Sequence, residues 1–278
     1  MKRLHVNGYE MAYLDIGQGP PVVCVHGALN DFRAWFGILS AMSDGRRLIV
    51  PSLRHYFPER WDGQGGSFSL SQHIEDVITF IEALGLGAVD LVGHSRGGLI
   101  GFRLALKRPD LLRKLVLAEP AGLLEEAIMP PEAVADTASG EMTPIRTIIN
   151  QAAEKIAAGE LEEGLWIFSD GIGGSGSWEK LAAAERQMRE DNAYTLVAGS
   201  SDPLAPYRED EARALSLPTL FLVGAQTTGV LPVISRVLAN LAPNAALEVI
   251  PDAGHAMVRQ QPKAFSSAVL RFLNGPSL

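Results

Sequence analysis

The sequence predicts an α/β protein: a mostly parallel β-sheet with helices on both faces and an inserted helical cap. Short apolar runs typical of buried strands alternate with longer helical patterns, which favours parallel strands joined by helices. Between residues 123 and 214 the strand rhythm stops and helical patterns dominate. A chain of 278 residues is long enough for this arrangement. We therefore expect a core formed by residues 1–122 and 215–278 and a cap formed by residues 123–214.

The predicted elements follow one another in a regular order. Apolar runs predict strands at residues 9–15, 21–25, 47–50, 89–92, 114–118, 219–223 and 247–250. Helical patterns lie at residues 31–43, 70–84, 97–107, 145–158, 230–241 and 262–273. Asp31 lies near the start of the first helix, and Gly85 ends the second. The glycine-rich residues 171–177 predict a loose loop within the cap.

Composition and charge exclude several classes of protein. Lys and Arg number 24 against 32 Asp and Glu, a net charge of −8, whereas nucleic-acid binders usually carry a basic surplus. The single cysteine, Cys24, forbids an internal disulfide, and no Cys/His cluster has the spacing of a zinc site. The polar amino terminus and the lack of an apolar run of about 18 residues predict a cytoplasmic protein without a membrane partner. The oligomeric state is left open.

The strongest local motif is Gly93-His94-Ser95-Arg96-Gly97, which lies between a predicted strand and a predicted helix and matches G-x-S-x-G. Where a strand turns sharply into a helix, side chains on either side of the central residue would collide, so glycines are needed there. Ser95 would project from the carboxyl end of the sheet, beside a helix amino terminus that favours developing negative charge. We interpret Ser95 as a nucleophile, with a purely structural turn as the alternative.

This elbow, the order of elements, a His26-Gly27 after an early strand and a late Gly254-His255 resemble the α/β-hydrolase superfamily over nearly the whole chain. The resemblance implies an α/β-hydrolase fold with a cap after the sixth core strand. It also implies that His255 is the base that activates Ser95. The oxyanion hole would then use the backbone N–H groups of Arg96 and Ala28.

The third catalytic group departs from the common pattern of that superfamily. Most members carry an Asp after the seventh core strand, but residues 224–230 contain no carboxylate. A carboxylate is needed to stabilise the imidazolium that forms during attack. Glu119, at the end of the strand 114–118, is predicted to supply it, as in a minority of the superfamily that includes some lactonases of fungal toxins. Glu119 could instead cap a helix of the insertion; Asp252 is the runner-up for the acid, or a turn former.

The substrate-binding residues are predicted from position and residue type. The loop after the strand 47–50 is dense in aromatic and cationic groups, and the cap contributes further aromatics. The candidates for substrate contact are Leu29, His55, Tyr56, Trp61 and Trp166, and those for an apolar cleft include Trp35, Phe36, Phe168 and Trp178. Arg54, Arg60 and Arg96 are candidates for attracting a substrate carboxylate. The alternative is that Arg54 pairs with a core acid, that the aromatics pack under the loop, and that Arg96 forms a buried ion pair behind the elbow.

The sequence therefore predicts a serine hydrolase of a carboxylic ester or lactone of a small, partly apolar molecule, with Ser95, His255 and Glu119 as its triad. One alternative is a cofactor-free oxygenase or lyase of the same fold, in which the His–acid pair deprotonates the substrate directly. Another is a non-catalytic small-molecule receptor, which the missing Asp permits. No cofactor or metal is expected, because there is no phosphate loop and Gly17-Gln18-Gly19 does not open a helix. The expected partner is a small-molecule substrate.

Overall fold

The computed structural model describes residues 1–276, in which eight strands form one sheet of order β1-β2-β4-β3-β5-β6-β7-β8. The strands are β1 Lys2–Val6, β2 Tyr9–Ile16, β3 Pro21–Val25, β4 Arg47–Pro51, β5 Val89–His94, β6 Leu112–Ala118, β7 Thr219–Gly224 and β8 Ala245–Ile250. Strands β3 to β8 pair in parallel, and only β1 with β2 and β2 with β4 pair antiparallel. The predicted mostly parallel sheet is confirmed.

Twelve α-helices occur in the described part of the chain. They are α1 Phe36–Met42, α2 Leu70–Leu84, α3 Arg96–Lys107, α4 Pro131–Ser139, α5 Ile145–Ala157, α6 Leu161–Gly173, α7 Ala183–Asp191, α8 Ala193–Ser200, α9 Glu209–Ala214, α10 Val230–Leu241, α11 Met257–Gln260 and α12 Pro262–Asn274. Gly85 ends α2 in the left-handed conformation with φ 64°, as the sequence predicts. Over residues 1–276, no helix combines the length and apolarity that a membrane crossing requires.

The sheet is covered on both faces, and strand β3 at its centre shows how. Successive side chains of a strand point to opposite faces. Val23 and Val25 belong to the apolar cluster formed with α2, α3 and α10, whereas Val22 and Cys24 belong to the cluster formed with α1 and α12. All four residues are fully buried. This two-sided burial is why the strands read as continuous apolar runs.

Helices α4 to α9 follow β6 and precede β7, and an isolated parallel bridge between Leu124 and Tyr207 joins the two ends of this segment. The segment is held to the rest of the molecule by polar contacts. Asn192 Nδ2 donates to Asp31 Oδ2 at 2.8 Å, and the Phe57 N–H donates to Asn192 Oδ1 at 2.7 Å. These bonds fix the end of α7, and residues of α6 and α7 line one cavity with Ser95, which directly follows β5. The domain boundaries at 123 and 214 stay a prediction.

The structure differs from the predicted elements in three places. Strand β1 lies outside the predicted strands; it is at an edge of the sheet and is largely exposed, so its sequence lacks an apolar run. The helix predicted at 31–43 is a 3₁₀ turn, Phe32–Trp35, followed by α1, and Asp31 caps the turn by accepting from the Arg33 N–H. Helix α6 continues to Gly173, three residues into the segment predicted as a loose loop.

Candidate active site

Ser95 lies at the turn between β5 and α3, in a strained conformation with φ 53° and ψ −117°. Non-glycine residues rarely adopt such a conformation unless the surroundings impose it. A Cβ on Gly93 would lie 2.3 Å from the Gly97 carbonyl oxygen, and a Cβ on Gly97 would lie 2.0 Å from the Val25 carbonyl oxygen. Both glycines are therefore required for the turn that presents Ser95 at the carboxyl end of the sheet.

The imidazole of His255 is held by the carboxylate of Glu119. Glu119 Oε2 lies 2.6 Å from His255 Nδ1, and the Gly224 N–H donates to Glu119 Oε1 at 2.9 Å. Glu119 is fully buried directly after β6, with φ 41°. With Nδ1–H donated to the carboxylate, the second ring nitrogen, Nε2, is the one free to accept a proton. Ser95 and His255 line the same cavity, so the structure brings together all three residues that the sequence singles out.

His94 supports the loop that carries His255. Its Nε2 donates to the His255 carbonyl oxygen at 2.8 Å, and the two rings lie 4.6 Å apart between centroids. Burial, and after it the positive charge that His255 can carry, lowers the pKa of His94 to about 3. His94 is therefore neutral at physiological pH and serves to position its neighbour.

His26 shapes the loop after β3. Its Nε2 accepts from the Leu53 N–H at 3.0 Å, and its Nδ1 lies 2.9 Å from the Gly27 carbonyl oxygen. Burial lowers the pKa of His26 to about 4. The neutral ring fixes the chain that leads to Ala28, which lines the cavity.

Two backbone N–H groups are available near Ser95 for a developing oxyanion. Arg96 is the first residue of α3, so its N–H has no acceptor within the helix. The Ala28 N–H has no hydrogen-bond acceptor among residues 1–276. The side chain of Arg96, by contrast, turns away from the cavity: its Nη2 lies 3.1 Å from His73 Nδ1 and 3.6 Å from Asp202 Oδ2. This is the ion pair behind the elbow that the sequence left as an alternative.

The cavity over Ser95 has a volume of about 290 Å³ and is lined by residues that follow β3 and β5 and by residues of α6 and α7. Its apolar wall is formed by Trp35, Phe36, Phe168, Ile172, Leu181 and Met188. Of these, Trp35, Phe36 and Phe168 are predicted cleft residues, whereas Trp178 lies outside the lining. Its polar lining includes Ser95, His255, Arg33, Ser169, Glu185, Arg189 and Arg259. A cavity of this size and character suits a small, partly apolar molecule.

Three predicted substrate contacts, His55, Tyr56 and Trp61, lie outside this cavity and are corrected here. His55 Nδ1 lies 3.0 Å from a carboxylate oxygen of Glu59, and its ring stacks on Trp61 with centroids 4.2 Å apart. Tyr56 is buried and packs edge-on against His26 at 4.7 Å. The aromatic residues of this loop therefore pack on other rings and not against the cavity.

The other residues predicted to contact the substrate also lie outside the cavity lining. Leu29 is fully buried among residues of α5, α6 and α8, such as Leu165, and its side chain does not line the cavity. Trp166 is 43% exposed on the outer side of α6. Arg54 is paired with the buried carboxylate of Asp76 at 2.7 Å, and Arg60 is exposed outside the cavity lining. None of these residues reaches Ser95.

Asp252, the runner-up for the acid, is exposed in a turn with φ 52°. Its side chain makes no hydrogen bond with any part of the chain that the structure describes. Asp252 is a turn former, which corrects its alternative assignment.

Four charged residues of the cavity carry no motif in the sequence: Arg33, Glu185, Arg189 and Arg259. Glu185, Met188 and Arg189 have the spacing of one helix face, and all three line the cavity from α7. That spacing is the only signal in the sequence, and it cannot indicate which molecule the face contacts.

Comparison with known proteins gives one matching family, alpha/beta hydrolase fold, over residues 20–141. The chain is 26% identical to an sn-1-specific diacylglycerol lipase, ABHD11, of Mus musculus, over 91% of this chain and 81% of the relative. The crystal structure of the enol-lactonase from Burkholderia xenovorans LB400 superposes with a TM-score of 0.70, at 21% identity and over 98% and 100% of the two chains. A thermophilic esterase from Thermogutta terrifontis gives a TM-score of 0.73, at 25% identity and over 99% and 98%.

Proposed function

We propose, because the chain belongs to the α/β-hydrolase superfamily, that it is a serine hydrolase cleaving a carboxylic ester or lactone of a small, partly apolar molecule. One observation carries this proposal: the 2.6 Å contact between Glu119 and His255, beside a serine that lines the same cavity from a strained elbow. Glu119 holds His255 in place of the Asp that is missing from the loop after β7. The receptor alternative depended on that missing Asp.

In the proposed reaction, Ser95 Oγ attacks the substrate carbonyl while His255 Nε2 accepts the serine proton. The imidazolium that forms is stabilised by Glu119 through Nδ1–H. Because the Gly224 N–H holds the other carboxylate oxygen, the acid is oriented before substrate binds. His255 next gives its proton to the leaving alcohol oxygen, and an acyl group stays on Ser95.

The N–H groups of Arg96 and Ala28 stabilise the negative oxygen of the tetrahedral intermediate. Each such donor is typically worth ~10²–10³ in rate. Water, deprotonated by His255, then attacks the acyl group and releases the acid, which returns Ser95 and His255 to their starting protonation states. For a lactone, the leaving alcohol and the released acid belong to one product molecule.

Similar proteins support an ester or lactone substrate, since they include a lipase, a lactonase and an esterase. The cavity of about 290 Å³ supports a substrate smaller than a long-chain lipid.

The test is turnover of 4-nitrophenyl butyrate and of a small γ-lactone, together with labelling by a fluorophosphonate. We expect hydrolysis of at least one compound and a single label on Ser95, both abolished in Ser95→Ala. Absence of both labelling and turnover would contradict the proposal. Substantial turnover by Ser95→Ala would instead favour direct deprotonation by the His255–Glu119 pair, as in the oxygenase or lyase alternative.

A further inference from the structure

The cavity over Ser95 contains a guanidinium without a partner. Arg189 lines the cavity from α7, yet its side chain makes no ion pair, hydrogen bond or cation–π contact with residues 1–276. Its Nε is buried without any hydrogen-bond partner. Leaving a buried charged donor unpaired is costly, and proteins rarely keep one without a reason.

The other charged groups of the cavity are already paired. Arg33 Nη2 lies 2.7 Å from Asp31 Oδ2 and 2.8 Å from Asp191 Oδ2. Arg259 Nε lies 2.9 Å from Glu185 Oε1. Arg189 is therefore the one lining cation, in the part of the chain described, that lacks a carboxylate partner.

Arg189 lies within electrostatic reach of the reacting groups. Its charge contributes to lowering the pKa of His94, the neighbour of Ser95, after burial and the charge of His255. Burial and the nearby charge of Arg259 lower the pKa of Arg189 itself to about 10, so the guanidinium stays charged at neutral pH. An anion bound to Arg189 would thus lie in the same cavity as Ser95.

A second polar atom of the cavity also lacks a partner. Ser169, on α6, has its Oγ buried without a hydrogen bond to the described residues, and the side chain lines the cavity beside apolar neighbours such as Phe168. Trp35 Nε1, in the same lining, is likewise buried without a partner, and three such atoms around one mainly apolar cavity indicate a ligand that is itself partly polar.

We propose that the substrate carries a carboxylate in addition to the ester or lactone group, and that Arg189 recognises this carboxylate. The planar fork of a guanidinium matches the two oxygens of a carboxylate, and one unpaired cation matches a single negative charge. The apolar wall holds the carbon chain between the carboxylate and the reacting carbonyl. This inference rests on the proposed function only for the identity of the reacting group.

The first experiment compares 4-nitrophenyl hydrogen glutarate with 4-nitrophenyl pentanoate, which has the same acyl length but no carboxylate. The readout is the ratio of their kcat/KM values. In Arg189→Gln we expect this ratio to fall by about 10–100-fold, because charge-assisted hydrogen bonds are lost. Arg189→Lys keeps the positive charge but not the planar guanidinium, so its ratio should lie between those of the wild type and Arg189→Gln.

The matched control is Arg186→Gln on the same helix. Arg186 lies outside the cavity lining, with its guanidinium 4.9 Å from the centroid of Trp178. The ratio of the two kcat/KM values in Arg186→Gln should stay within about twofold of the wild-type ratio. A change in Arg189→Gln smaller than about threefold, in a variant whose circular dichroism spectrum matches the wild type, would overturn the proposal.

The second experiment is independent of turnover. Titration calorimetry with glutarate should show binding to the wild-type protein and at least tenfold weaker binding to Arg189→Gln. No binding to the wild type, or tighter binding of inorganic phosphate than of glutarate, would overturn the carboxylate site. Glutarate binding without turnover of any ester or lactone would retain this site and reject the proposed hydrolase.

Discussion

Glu119 reaches His255 from β6 because β6 and β7 are neighbours in register. Ala118 pairs with Leu222, so the residue after β6 lies beside the end of β7, where Gly224 donates to its carboxylate. A carboxylate from either strand end can therefore approach the same imidazole nitrogen. This explains why residues 225–229 contain no acid although the site has one.

We predict that Glu119→Gln lowers kcat/KM for a hydrolysed ester by about 10²–10⁴, because the amide cannot stabilise the imidazolium of His255. The matched variant, Asp252→Asn, should retain activity within about threefold, since Asp252 is exposed in a turn. Steady-state kinetics of both variants measure this. Wild-type activity in Glu119→Gln would show that some other group holds His255.

The elbow joins two elements whose contact leaves no space for a side chain. Helix α3 begins so close to β3 that Gly97 faces the carbonyl groups of Val25 and His26. The same closeness places the helix amino terminus beside Ser95, so packing and electrostatics arise from one feature. A change at Gly97 would therefore affect stability and activity together.

We predict that Gly97→Ala lowers the free energy of unfolding by about 3 kcal/mol or more, since its Cβ would lie 2.0 Å from a backbone oxygen. Urea denaturation measures the loss. The control is Gly199→Ala in α8, whose Cβ would meet Phe68 at an ordinary 3.4 Å. That variant should be stabilised by up to about 1 kcal/mol, because alanine favours a helix. Equal stabilities of the two variants would contradict this account of the elbow.

The bounds of a strand or helix can be predicted from the sequence where burial dictates residue type. Strands β3 to β7 are largely buried on both faces, so their apolar runs predict them to within a few residues. The edge strand β8 is only partly buried, and the sequence predicts four of its six residues. Edge strand β1 is mainly exposed and lacks that signal. The triad candidates follow from motif and position, whereas the role of Arg189 depends on the partners it lacks, which only the folded arrangement can indicate. The aromatic composition of residues 55–61 favours substrate contact, yet the loop packs on itself outside the cavity, because composition does not tell which way a loop folds.

Across the whole molecule, buried histidines couple folding to pH. His26, His73 and His94 lie in the interior with pKa values lowered mainly by burial, to about 4 for His26 and about 3 for His94. The unfolded chain takes up protons below about pH 6.5, where the folded protein does not. Stability is therefore full above that pH and is lost as the pH falls toward the folded pKa values.

We predict that lowering the pH from 7 to 5 reduces the free energy of unfolding by roughly 2 kcal/mol for each such histidine. Urea denaturation at the two pH values measures the difference. In His94→Asn the difference should shrink by about one histidine's share, whatever the stability of the variant at pH 7. His5→Asn, at an exposed position of β1, should leave it unchanged. An unchanged difference in His94→Asn would contradict the coupling.

The lone thiol of Cys24 turns the centre of the sheet into a reporter of global opening. It is fully enclosed in β3, and burial raises its pKa to about 12, so the reactive thiolate is suppressed in the folded chain. Alkylation by iodoacetamide, followed by mass spectrometry, should proceed only as fast as the whole core comes apart. Ligands that bind in the cavity should slow the alkylation of Cys24 in proportion to their affinity. The alkylation rate therefore gives a screen for substrates that needs no assay of turnover.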